Sequence, residues 1–213
     1  MTGKARVRRN IAHRQSKMFP KRPEPEKAWM GTITGKKFNP FDPCVEDIDI
    51  RDIARGLAMT CRYGGQVKRF YSVAEHCYNV SFYVPSEYRL HALLHDSAEA
   101  YIGDMIRPIK HQPQMVEFRH AENMIEQAVA LKFGLDWSLE AQAAVKTIDN
   151  RILVDEIREL SYMPEAYLNT PLLKGLEPLH TLNFIVHSWS PEVAENLFLN
   201  RFEDLAGTMV ERL

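Results

Sequence analysis

The stretch "SVAEHCYNVSFYVPSEYRLHALLHDSAEAYIGD", residues 72–104, decides how the chain is read. It opens with Ser72 and, three residues on, Glu75, the spacing of a capping box at the start of a helix. Apolar residues recur at Val73, Cys77, Val80 and Val84, which suits a helix with one buried face. A second helix is expected from Ser86 as its N-cap to Gly103 as its stop. Three residues inside these helices are ones that a packed core does not want. His76 lies in the first, and His95 and Asp96 stand side by side in an otherwise apolar run of the second. Glu99 follows four residues after His95, so one helix edge carries an imidazole and two carboxylates. Buried charge without a partner is expensive, and a divalent cation would compensate it.

The remaining ligand has to come from elsewhere. Asp149 is the best candidate, because it interrupts the apolar face of "AVKTIDNRIL", residues 144–153, between Ile148 and Ile152. Asp155 and Glu156 are weaker rivals in a more charged turn. His76, His95, Asp96 and Asp149 suit one first-row divalent metal (Mn, Co, Zn, Fe or Ni) with positions left open for water and substrate. Each residue alone has a plainer reading as a satisfied core or surface group. Their ordered combination on three helices points to a metal.

Further helices are expected at 47–59 with Asp49 as N-cap, at 112–134, at 138–160, and from Ser190 onward with Pro191 in its first turn. "WMGTITGKKFNPFDP", residues 29–43, has room for a short hairpin. The expected fold is therefore all-α, a bundle of about six helices behind a short N-terminal hairpin. Residues 166–189 show no clear periodicity.

With 213 residues the chain can bury a core without cross-links. A net charge of −1 gives the whole molecule no pull toward nucleic acid or membrane surfaces. Cys44, Cys61 and Cys77 form no CxxC pair, as expected of reduced thiols in a cytoplasmic protein. No apolar run approaches the ~20 residues of a membrane span. Residues 1–27 are basic and lack apolar periodicity, so they are expected to be a flexible extension, and a route to nucleic acid only through that tail.

Taken together, "AEHCYNV", "LHALLHDSAEAYIGD" and "AVKTIDNRIL" resemble the HD-domain metal-dependent phosphohydrolases. "CRYGG", "FYSVAEH" and "HDSAEAYIGDMIRPIK" are similar to the branch with bacterial 5′-deoxynucleotidases and phage deoxynucleoside triphosphate triphosphohydrolases. The likeness spans residues 45–160 and makes 28–213 one HD domain. It implies that Glu99 and Asp104 do the proton work, that Arg62 holds phosphate, and that Tyr63 lies against the base or sugar. Arg107 and Lys110, just past the acidic cluster, offer a cradle for outer phosphates, with Mg²⁺ as a helper should the substrate be a triphosphate. The resemblance also implies a nucleotide as partner and assembly into homo-oligomers. Two activities stay open, removal of phosphate from a monophosphate and removal of triphosphate. The rival from another class is a non-catalytic nucleotide or metal sensor whose basic tail recruits nucleic acid. His111 and His120 lie where some relatives hold a second metal, but neither has an apolar setting to shape a site.

Overall fold

The computed structural model describes residues 28–135, 138–179 and 186–210. The basic extension expected over 1–27 lies outside them. The short hairpin forms, with β1 (Met30–Gly31) antiparallel to β2 (Lys37–Phe38). Asp52 holds it to the helices by accepting from the Thr34 amide at 2.9 Å and the Thr34 hydroxyl at 2.7 Å.

The described residues then fold into helices: α1 (Ile50–Met59), α2 (Val73–Tyr83), α3 (Arg89–Leu93), α4 (Glu99–Ile102) and α5 (Arg107–Lys110). They continue with α6 (Val116–Phe133), α7 (Leu139–Leu160), α8 (Pro164–Leu168) and α9 (Pro191–Val210). The protein is all-α. No helix among the described residues is long and apolar enough to cross a membrane. Local signals explain several boundaries. Asp49 caps α1 by accepting from Arg51 N–H, Ser72 caps α2 through Glu75 N–H, and Ser138 caps α7 through Ala141 N–H. Gly134 ends α6 in the left-handed conformation, where a side chain would be strained.

The helix expected to run unbroken from Ser86 to Gly103 is instead split. Ser86 opens a 3-10 turn without capping it, and residues 94–98 form turns between α3 and α4. The cause is local competition for backbone carbonyls. His95 Nδ1 takes the Ala92 carbonyl at 2.8 Å and Ser97 Oγ takes the Leu94 carbonyl at 2.6 Å. The chain tightens into i→i−3 bonds such as Glu99 N–H to Asp96 O at 2.9 Å. The break, together with short α5 and α8, raises the helix count above the half-dozen expected.

The main core gathers Ile53, Leu57, Val73, Ala74, Leu93, Ile125 and Phe198, all buried. It is where α1 packs on α9 and α4 and where α2 packs on α3. Gly56 lets α1 approach α4 closely. A β-carbon there would stand 2.5 Å from the Ala100 carbonyl oxygen. A second cluster, Val80, Val84, Ala92, Val145 and Ile152, seats α7 against α2 and α3. The site lies along that seam.

Candidate metal centre

The four expected ligands come from three places along this seam. His76 sits in the first turn and a half of α2, His95 and Asp96 in the tightened turn after α3, and Asp149 midway along α7. His76 Nε2 lies 3.3 Å from Asp149 Oδ1 and 3.7 Å from Asp96 Oδ2. His95 Nε2 lies 3.3 Å from Asp96 Oδ2. The ligand atoms of His76, His95 and Asp96 all lie within 4.8 Å of one another. Two atoms bound to one ion at about 2.1 Å each stand roughly 3–4 Å apart, depending on the angle between the bonds, so these spacings suit a shared cation. The Nε2 atoms of both histidines are buried and have no hydrogen-bond partner. Buried polar atoms are rarely left this way, and two of them converging between carboxylates fit a metal.

The electrostatics agree with that fit. Burial pushes His95 down toward its neutral form, despite Asp96 and Asp149. Burial and Arg62 disfavour charge on His76, but Glu156 and Asp149 outweigh them and push it up to about 9. Glu156 and Asp149 thus favour positive charge at the His76 ring, which a proton or a neighbouring cation can supply. Burial also opposes ionisation of Asp96 and Asp149, but His95 and His76 hold Asp96 down and His76 holds Asp149 well below the usual carboxylate range.

Glu99, the first residue of α4, is buried, and its Oε2 has no hydrogen-bond partner. Burial, then Asp96 and Asp104, push its carboxyl well above the ordinary value. Asp104 accepts from the Tyr63 amide at 3.2 Å. Arg62 spans the centre, its Nη1 at 3.4 Å from Asp96 Oδ2 and its Nη2 at 3.3 Å from Glu156 Oε2. Arg107 reaches to 3.9 Å from Asp149 Oδ2. Lys110 is paired with Glu122 at 2.5 Å. Tyr63 turns its hydroxyl inward to Glu156 Oε2 at 2.6 Å, and its ring packs beside Leu153, Ile157 and Leu173. His111 is exposed at the end of α5 and His120 lies on α6. Neither joins the group formed by His76, His95 and Asp96.

Sequence reasoning gave too little weight to two residues. Glu156 has a larger part than a rival ligand, for its Oε1 meets His76 Nδ1 at 2.5 Å, behind the imidazole. Its signal is its spacing, seven residues after Asp149 and so on the same face of α7. Lys146 places Nζ 2.6 Å from Asp149 Oδ2, and the signal was a cation one turn before the ligand. The other rival, Asp155, accepts from the Leu179 amide at 2.9 Å.

No family model matches the chain. It is 32% identical over 179 residues to the protein YfdR of Escherichia coli K12, covering 84% of this chain and 96% of the relative. It is 34% identical over 152 residues to RCAP_rcc00048 of Rhodobacter capsulatus, covering 66% of this chain and 77% of the relative. Both relatives are described as uncharacterized proteins, so the likeness carries kinship and no activity.

Proposed function

We propose that this chain, which belongs to the family of the Escherichia coli protein YfdR, is a metal-dependent phosphohydrolase of the HD-domain type acting on 5′-nucleotides. The observation that carries the reading is the convergence of two unpartnered, buried Nε2 atoms with Asp96, with Asp149 beside His76 and an arginine beside Asp96. A divalent ion held by His76, His95, Asp96 and Asp149 would acidify and orient a water and draw charge from a phosphoryl oxygen.

The chain's own residues supply the rest. Arg62 lies in a loop against the ligands, and its guanidinium fork matches phosphate oxygens. Glu99, with one unpartnered oxygen and a raised affinity for protons, suits general acid–base work. Asp104 fixes the Tyr63 amide and so the loop that carries Arg62. Arg107 stands close enough to the centre to meet a longer phosphate chain. Lys110 would have to leave Glu122 to join it.

The test is to incubate the full chain with Mn²⁺ or Co²⁺ and either dAMP or dATP, and to resolve the products by ion exchange. Deoxyadenosine and phosphate from dAMP, with dATP untouched, makes it a 5′-nucleotidase. Deoxyadenosine and intact triphosphate from dATP makes it a triphosphohydrolase. Asp96→Ala should lose metal and turnover together, whereas Glu99→Gln should keep metal and lose about 100-fold or more in turnover. Metal uptake without turnover of any deoxynucleotide would favour the sensor reading.

A further inference from the structure

We infer that Glu156 is the positioning carboxylate of this centre, holding the metal-ligand imidazole with one oxygen and the phosphate-binding loop with the other. The inference rests on the metal-centre reading above and goes beyond it in assigning one side chain to both halves of the site.

Glu156 lies on α7 and is fully buried. Its Oε1 meets His76 Nδ1 at 2.5 Å and accepts from the Tyr71 hydroxyl at 2.9 Å. Its Oε2 accepts from the Tyr63 hydroxyl at 2.6 Å and faces Arg62 Nη2 at 3.3 Å. A carboxylate has about four lone-pair sites, and these four donors fill them. A neutral imidazole has one N–H and one lone pair. A carboxylate at Nδ1 keeps the N–H there and leaves the Nε2 lone pair facing Asp149 and Asp96.

A stabilising core ion pair accounts for less of this. Buried arginine–carboxylate pairs seldom add net stability, and such a pair would need neither the imidazole nor two phenols. The loop supplies a second reason. Tyr63 has φ 60°, a left-handed conformation that is strained for a residue with a β-carbon. Its hydroxyl on Glu156 and its amide on Asp104 hold it there, with Arg62 beside it. The same carboxylate therefore sets where the ligand points and where the guanidinium stands.

The experiment measures Mn²⁺ affinity of the full chain by calorimetry and helix content by circular dichroism. Glu156→Gln should stay helical and bind Mn²⁺ about 10- to 100-fold more weakly, with partial recovery in Glu156→Asp. Two single-donor variants divide the role and serve even if Glu156→Gln does not fold. Tyr71→Phe, on the His76 side, should weaken Mn²⁺ binding. Tyr63→Phe, on the Arg62 side, should leave Mn²⁺ affinity in place and raise the KM for dAMP or dATP, whichever turns over. Unchanged Mn²⁺ affinity in Glu156→Gln, or the reverse pattern in the two tyrosine variants, overturns the inference while the metal-centre reading stands. An unaltered chain that takes up no Mn²⁺, Co²⁺ or Zn²⁺ overturns both.

Discussion

Replacing Glu75 should cost more stability than almost any other single change away from the ligands. Its carboxylate is fully buried and accepts three consecutive backbone amides from the approach to α9. His187 N–H and Ser188 N–H reach Oε1 at 2.7 and 3.2 Å, and Trp189 N–H reaches Oε2 at 3.0 Å. Ser188 adopts φ 56°, so the backbone curls around the anion as a nest. Hydrogen bonds to a charged acceptor contribute about 1.5–3 kcal/mol each, so three set an upper bound of about 4.5–9 kcal/mol. Water entering the space left by the side chain would satisfy part of the loss. Glu75→Ala should therefore destabilise by about 3–5 kcal/mol, and Glu75→Gln, which keeps one accepting oxygen, by about 2 kcal/mol. Urea unfolding followed by circular dichroism gives these values. Amide exchange should rise first at 187–189. A loss below about 1 kcal/mol in Glu75→Ala would refute the claim that this carboxylate anchors the α9 segment.

Two further outcomes follow from single contacts. Gly56→Ala gains about 1 kcal/mol of helix propensity but drives a β-carbon to 2.5 Å from the Ala100 carbonyl oxygen, a backbone atom that cannot step aside. The clash wins, and thermal melts should show a net loss of about 2 kcal/mol or more; a stabilised variant would mean that α1 and α4 are not in this close contact. Glu126 is pushed up to about 8 from 4.5 by burial and then by Glu122 and Asp96. An acid whose folded pKa exceeds its unfolded one binds more protons when folded, so stability falls as pH rises through that window. Glu126→Gln should flatten this fall, so its melting temperature should gain on that of the unaltered chain between pH 5 and 8; parallel profiles would count against the placement.

The candidate site was legible in part because ligand chemistry is written in residue types. His76, His95 and Asp96 stand out in apolar helices, and Asp149 breaks an apolar face, whatever the helices pack against. Serine and aspartate caps are likewise local, because a side chain and an amide two or three residues apart meet with no help from the rest of the fold. The capping box at Ser72 was half right. Ser72 caps α2, but Glu75 leaves the helix end and serves a segment 112 to 114 residues away.

That the chain is helical, which face of each long helix is apolar, and which side chains are able to hold a metal were all readable along the chain. Each follows from spacing within a few residues. Tertiary structure decided that α7 would bring Asp149 to within 3.3 Å of His76. It also decided that Glu156 would stand behind His76 across 80 residues of chain, and that Tyr63 would turn inward to meet it. A buried carboxylate takes whichever donors packing brings to it, and the packing of α2 against α7 is set by the apolar residues Val80, Val84, Val145 and Ile152.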